Sequence, residues 1–143
     1  QEVLDHPLAA DHELAYDERS SFSLTVNHRD TFTGITDADR ALTISELGSL
    51  AATPEYERFV ESFRAPGHVH LLRAAPNLLA DREGHTELGI ALAETADCEP
   101  AVVVCEMLDD ETGAALSPTD AQEYARRHGL VYVEGAALVE RLA

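Results

Sequence analysis

The stretch SFSLTVNHRDTFTGIT, residues 21–36, decides the fold because it leads from a strand through a polar loop into a helix. Its first eight residues alternate apolar and polar side chains, which is the period-two pattern of a half-buried strand. Thr36 or Asp37 can then cap a helix that continues to Leu47. The loop between strand and helix collects polar side chains, which serve either a functional site or only turn and capping chemistry.

Strands and helices are interleaved along the rest of the chain. Further strands are predicted at residues 69–74, 101–108 and 130–133, and further helices at residues 54–63, from residue 86 onward, at 118–128 and at 136–142. The run 101–108 is mostly apolar, which is typical of a strand buried on both faces. Residues 1–20 are predicted to form an irregular connection. The order of elements predicts helices packed in layers on a mixed sheet, within one domain spanning residues 1–143.

The chain is strongly acidic, with 27 acidic and 10 basic residues and a net charge of −17. Such a field repels phosphate backbones and anionic lipid surfaces, so we expect neither nucleic acid nor a membrane as a partner. All ten basic residues are arginine, and the dispersed acidic residues suggest adaptation to concentrated salt. No apolar run reaches the roughly 20 residues of a membrane span, and no secretory signal is visible. We therefore expect a cytoplasmic protein.

The segment Arg82-Glu83-Gly84-His85-Thr86-Glu87 is the sharpest candidate for a binding site. Gly84 lets a ligand approach the backbone, and Thr86 lies where a helix begins. Backbone N–H groups at a helix N-terminus, together with a hydroxyl and a guanidinium, suit a phosphate group. His85 in the same turn can bind a divalent metal or transfer protons. The alternative is a capped helix that carries surface charges.

Two residues are candidates for proton transfer. His68 follows a stiff Pro-Gly turn and can act as an acid or a base, although a loop histidine is often only solvated. Glu106 lies inside the apolar run 101–108, and burial there would raise its carboxyl pKa toward neutrality. The alternative for Glu106 is a structural carboxylate with a partner. Together with the phosphate-binding segment, these residues suggest acid–base chemistry on a small phosphorylated substrate.

Four segments resemble, in the same order and spacing, those of the 3,4-dihydroxy-2-butanone 4-phosphate synthases, which act in riboflavin biosynthesis. The segments are NHRDTFTGITDADR at residues 27–40, RAPGHV followed by LRA within residues 64–74, GHTE at residues 84–87 and CEM at residues 105–107. The agreement extends from about Tyr16 to the C-terminus. The chain looks like the C-terminal two-thirds of a haloarchaeal-type member of this family.

The resemblance implies an α+β fold with a mixed twisted sheet between helices, in three α/β/α layers, and a homodimer. It also implies conversion of D-ribulose 5-phosphate into 3,4-dihydroxy-2-butanone 4-phosphate and formate, with Mg²⁺ or Mn²⁺ as cofactor. By position, the resemblance makes His68 and Glu106 the acid–base residues and His85 a metal ligand. The seven residues that would contact the substrate are Thr33, Arg82, Glu83, Gly84, His85, Thr86 and Glu106. Of these, Arg82, Gly84, Thr86 and Thr33 would bind its phosphate.

One feature of the family has no counterpart in residues 1–143. The family carries an N-terminal acidic loop that supplies a second metal ligand, and the acidic residues before position 16 do not match it. We therefore expect these 143 residues alone to lack turnover. The alternative function is a non-catalytic remnant that binds sugar phosphates, or a partner subunit of a full-length synthase.

Overall fold

A computed structural model describes residues 24–142, which form two strands, five α-helices and a short 3₁₀ helix at Leu78–Ala80. The strands and α-helices are, in chain order, β1 (Leu24–His28), α1 (Asp37–Ala52), α2 (Tyr56–Ser62), β2 (Phe63–Leu71), α3 (His85–Thr95), α4 (Pro118–His128) and α5 (Gly135–Leu142). The predicted α+β class is confirmed. The irregular connection predicted at residues 1–20, and residues 21–23 of the first predicted strand, lie outside the described residues.

Strands β1 and β2 pair antiparallel, with an irregularity in the middle of the ladder. Val26 lies opposite Val69, whereas the next residue, Asn27, lies opposite Arg64. Residues 65–68 therefore bulge out of the ladder, and the predicted Pro-Gly turn is an interruption within β2. Strand β2 thus begins at Phe63, six residues before the predicted start at Val69.

Two side chains on one face of β1 replace the ladder hydrogen bonds that the bulge interrupts. Thr25 Oγ1 accepts a hydrogen bond from the backbone N–H of Gly67 at 3.1 Å. Asn27 Oδ1 accepts one from the backbone N–H of His68 at 2.8 Å. Thr25 and Asn27 are two residues apart and share a face of the strand, so they bind two successive N–H groups of the bulge.

Helix α1 confirms the predicted cap, because Thr36 accepts a hydrogen bond from the backbone N–H of Asp39 at 3.2 Å. The buried Thr43 fastens this helix to the end of β1. Its hydroxyl accepts a hydrogen bond from the backbone N–H of His28 and donates one to the carbonyl of Asp39, both at 3.0 Å. These bonds fix how the polar loop 29–36 leaves the strand and enters the helix.

The helices near the C-terminus follow their sequence signals closely. Helix α4 has Pro118 at its start, the Ser117 side chain as N-cap, and Gly129 as a left-handed C-cap with a φ of 66°. Helix α5 confirms the helix predicted at residues 136–142. Helix α2 begins at Tyr56, two residues after Pro54, so the prediction of Pro54 at its first position was wrong. No helix within residues 24–142 has the length and apolar character that a membrane span requires.

The strands predicted at residues 101–108 and 130–133 are wrong. Within residues 24–142 the sheet has two strands, and the pairing of the first segment is limited to one isolated bridge between Leu108 and Ala115. Val103 is 69% exposed and Val131 is 90% exposed, so these apolar side chains are not in the core. An apolar run favours burial, but a strand also needs a neighbouring backbone with which to pair. No second strand lies beside either segment in the described part of the chain.

A side chain at Gly67 is expected to destabilise the fold, because its Cβ would lie 1.9 Å from the carbonyl carbon of Val26. Gly67→Ala should lower the free energy of unfolding by about 1–3 kcal/mol, the usual range for overpacking. Gly48→Ala is the matched control, since no atom lies within 4 Å of its added Cβ and the residue is inside α1. The control should raise stability by about 0.5–1 kcal/mol. Urea unfolding measures both, and equal midpoints for Gly67→Ala and the wild type would contradict the packing argument.

Candidate active site

Asp39 organises the polar loop that carries Thr33. Its carboxylate accepts hydrogen bonds from the backbone N–H groups of Gly34, Phe32 and Thr33, at 2.8, 3.3 and 3.1 Å. The Thr33 hydroxyl donates a further hydrogen bond to the same carboxylate at 3.2 Å. These bonds lower the pKa of Asp39, and the bond from the Gly34 N–H makes the largest contribution. The loop is therefore held by one carboxylate in the first turn of α1.

Gly34 brings this loop against the end of β1. Its φ is 86°, in the left-handed region that favours glycine. A Cβ at this position would lie 1.9 Å from Nδ2 of Asn27, so the loop backbone packs directly on that side chain. Thr33, predicted to contact substrate, is exposed and lies in this loop, next to Gly34. The loop packs on the buried Asn27.

His68 meets the same buried residue from the other side. Asn27 Nδ2 lies 3.2 Å from Nδ1 of the His68 ring, while Asn27 Oδ1 binds the backbone N–H of His68. Asn27 is only 3% exposed, whereas His68 is exposed. Two of the predicted segments, the polar loop and the Pro-Gly-His turn, are therefore joined through Asn27.

The second half of the candidate site is built around a buried carboxylate on α3. Glu87 is 0% exposed and accepts hydrogen bonds from Arg82 Nη1 at 2.7 Å and from the backbone N–H of Ala75 at 2.9 Å. A buried carboxylate needs such partners, because an unpaired charge away from water is costly. Arg82 crosses over Gly84, where an added Cβ would lie 1.9 Å from Nη1. The lack of a Cβ at Gly84 leaves room for the guanidinium in this position.

The N-terminus of α3 differs from those of α1 and α4, which have side-chain caps. Its N-cap is Gly84, and no described side chain caps it. The N–H groups of its first turn have no partner inside the helix. They carry the positive end of the helix dipole beside the guanidinium of Arg82. His85 and Thr86 lie in this turn and Glu83 just before it, so five predicted contact residues adjoin one helix end.

Glu106 does not lie where the sequence predicted. The segment that carries it is not a strand, and its side chain is exposed. The predicted burial of this carboxylate is wrong, because the apolar run around it has no strand partner in the described residues. Within residues 24–142, the His68 ring contacts Asn27, and no hydrogen bond joins it to the Glu106 side chain.

His85 is the predicted metal ligand, and its imidazole is exposed at the start of α3. Among residues 24–142, no three histidine, cysteine or acidic side chains are grouped so that they could hold a metal ion. A divalent cation needs several ligands at once, and Mg²⁺ prefers oxygen. The described residues therefore do not complete a metal site around His85, and its role as a ligand stays a prediction.

Sequence reasoning missed three residues that hold the site together. Asn27 and Asp39 were named only as members of the segment 27–40, and Glu87 only as the last residue of the segments 82–87 and GHTE. A signal for Glu87 was present, because an acidic residue on the apolar face of a helix needs a buried partner. For Asn27 no local signal distinguishes a buried amide from the exposed polar face of an ordinary strand.

Comparison with known proteins gives consistent matches. The family model for 3,4-dihydroxy-2-butanone 4-phosphate synthase matches residues 4–141. The synthase of Methanothermobacter thermautotrophicus is 55% identical over 129 residues, which cover 90% of this chain and 56% of that protein. The synthase of Methanosarcina mazei is 55% identical over 133 residues, covering 91% of this chain and 54% of that protein. The chain thus spans a little over half the length of these curated relatives.

Solved structures agree with these matches. The crystal structure of the 3,4-dihydroxy-2-butanone 4-phosphate synthase of Candida albicans aligns with a TM-score of 0.74 and 35% identity. That alignment covers 86% of this chain and 60% of the Candida chain. A two-domain synthase from A. baumannii aligns with a TM-score of 0.64 and 31% identity, over 82% of this chain and 33% of the other.

Asp39→Asn is expected to destabilise the protein in a pH-dependent way. Because the folded-state pKa of Asp39 is lowered below 3.8, its contribution is fully present above that value. The contribution disappears as the pH falls through the lower, folded-state value. The difference in thermal midpoint between wild type and Asp39→Asn should therefore be largest near neutral pH and shrink below about pH 3.8.

Asp37→Asn is the matched control, because Asp37 lies in the same first turn and its recorded partner among residues 24–142 is Arg40 at the surface. Exposed ion pairs contribute little, so this variant should unfold close to the wild type. Thermal scans from neutral to acid pH compare all three proteins. A difference for Asp39→Asn that does not change with pH would contradict the assigned hydrogen bonds.

Proposed function

The chain belongs to the 3,4-dihydroxy-2-butanone 4-phosphate synthase family, and from this premise we propose that it acts in converting D-ribulose 5-phosphate into 3,4-dihydroxy-2-butanone 4-phosphate and formate. This reaction supplies a four-carbon unit for riboflavin. The observation that carries the proposal is made at the N-terminus of α3. There the guanidinium of Arg82 is held by Glu87 beside the first turn, which has no side-chain cap.

A phosphorylated substrate needs such a local site in this protein. The net charge of −17 repels a phosphate ester at long range, so binding depends on a short-range cluster of donors. Glu87 holds one edge of the guanidinium, which lowers the entropy lost when Arg82 orders around a phosphate. The helix dipole and the first-turn N–H groups add donors that no described side chain occupies. Thr86 is in the same turn, and its hydroxyl is a further donor in the proposal.

His68 is proposed to act on the carbonyl and hydroxyl oxygens of the substrate, and Thr33 contributes a further exposed hydroxyl. Enolisation of a ketose phosphate requires groups that exchange protons with, or donate hydrogen bonds to, the carbonyl and hydroxyl oxygens. Both side chains are exposed around the buried Asn27, where a substrate can reach them. Glu106 is proposed as a second acid–base residue, and this role follows from the resemblance to the family alone.

We also propose His85 as one ligand of a divalent cation, Mg²⁺ or Mn²⁺, which in this chemistry would stabilise negative charge on substrate oxygens. The described residues do not complete such a site, so no proton transfer is assigned to the cation. A homodimer, a cytoplasmic location and adaptation to high salt belong to the proposal through the resemblance and the composition.

Arg82→Lys tests the phosphate site while keeping the positive charge beside Glu87. Lysine lacks the planar fork that binds two phosphate oxygens at once. The KM for D-ribulose 5-phosphate should rise about tenfold or more, the equivalent of one lost charge-assisted hydrogen bond. Arg58→Lys is the control, because Arg58 in α2 pairs with Glu46 in α1 and not with a residue of the proposed phosphate site. Formate release with Mg²⁺ at high salt provides the measurement, and an unchanged KM for Arg82→Lys would overturn the assignment.

A second candidate function is binding of sugar phosphates without turnover. The exposure of Glu106, whose burial was predicted for its acid–base role, favours it for these residues. Phosphorus NMR with D-ribulose 5-phosphate separates the two functions. Line broadening that is weakened in Arg82→Lys, without formate, supports the binding function. Formate release that is lost in His68→Ala supports the synthase, and neither signal would refute both.

A further inference from the structure

Asn27 is a buried polar group that contacts His68, a residue of the proposed reaction. It is 3% exposed, it lies at the irregularity between β1 and β2, and Gly34 packs against its amide. Its two amide atoms both face His68, one toward the backbone and one toward the ring. A buried amide is satisfied only in the orientation that matches its partners, so its orientation carries information about those partners.

The backbone of His68 fixes which way the amide points. A backbone N–H can only donate, so the Asn27 atom 2.8 Å from it must be the oxygen Oδ1. The atom that faces the ring at 3.2 Å is then the amino nitrogen Nδ2, which donates. Rotating the amide by half a turn would set donor against donor at the backbone N–H.

The ring nitrogen Nδ1 therefore has to accept. A neutral imidazole has one N–H and one acceptor nitrogen, so an accepting Nδ1 leaves the proton on Nε2. The exposed edge of His68 thus carries an N–H group toward solvent and substrate. In this tautomer, neutral His68 offers a hydrogen-bond donor and not a base.

We infer that Asn27 is a positioning residue that fixes His68 as the Nε2–H tautomer, so that neutral His68 donates a hydrogen bond to a substrate oxygen. The inference rests on the proposed function for the identity of the substrate, a ketose phosphate. The oxygen it addresses is the carbonyl that becomes negatively charged as an enediolate forms. A donor that is already oriented stabilises such charge without rearrangement. Abstraction of the carbon-bound proton falls to a different group.

Asn27→Asp reverses the hydrogen bond with little change in shape. The carboxylate still accepts from the backbone N–H of His68, but it also accepts at the ring, which moves the neutral ring to the Nδ1–H tautomer. Nε2 then becomes an acceptor, and the donor toward the substrate is lost. We expect kcat to fall by about 100-fold, as for loss of one oxyanion-stabilising donor, with KM nearly unchanged because the phosphate is held at Arg82.

The ring itself gives a readout that needs no turnover. Long-range proton–nitrogen NMR distinguishes the two tautomers, with the His68 signal assigned by its loss in His68→Gln and the ring shown to be neutral by titration in the same samples. The wild type should show Nε2–H, Asn27→Asp should show Nδ1–H, and Asn27→Ala should show a mixture. His70 serves as an internal reference that should stay the same.

Thr25→Val is the matched structural control. Thr25 holds the neighbouring N–H of the same bulge, so its loss should lower the urea midpoint while His68 stays Nε2–H. If Asn27→Asp does not fold, Asn27→Ala carries the test. Nδ1–H in the wild type, or Nε2–H persisting in Asn27→Asp and Asn27→Ala, would overturn the inference. Absence of formate with the expected tautomers would count against the proposed function and leave the assignment of Asn27 intact.

Discussion

The close packing of Gly67 on the backbone of β1 is the constraint on which the site depends. Because no Cβ intervenes, the bulge of β2 comes near enough for Thr25 and Asn27 to bind its successive N–H groups. The histidine that follows the glycine is thereby held at a buried amide and not on a freely moving turn. The same amide supports the polar loop through Gly34, so one strand end positions two segments that are distant in sequence.

The second anchor is electrostatic. Glu87 is fully buried, and its carboxylate charge is stabilised by hydrogen bonds from Arg82 and from the backbone N–H of Ala75. Ala75 follows β2, so the carboxylate ties the start of α3 to the chain that leaves the sheet. Removing one partner of a buried pair typically costs about 3–5 kcal/mol, which makes the geometry of this helix end strongly determined. A site that must overcome a net charge of −17 benefits from a guanidinium fixed in this way.

The exposed apolar segments show the limit of pattern reading. Residues 101–108 have the composition of a central strand, yet in the described structure they form no strand and are exposed. Composition records that a segment favours burial, whereas a strand is defined by the backbone beside it. Glu106 was misplaced for the same reason, since its expected burial was inferred from neighbours that are themselves exposed.

The sequence by itself determined the features that depend on neighbouring residues. Thr36 and Ser117 cap helices, Gly129 ends one, and residues 24–28 alternate as a strand because these signals act within a few residues. The order of the four segments also sufficed to indicate the family. Only the tertiary structure decided that Asn27 orients His68, that Glu87 is buried beside Arg82, and that the run 101–108 pairs only at the isolated bridge of Leu108 within the described residues. Those outcomes depend on contacts between residues 5 to 41 positions apart, or on the lack of a partner strand among residues 24–142, which no local pattern specifies.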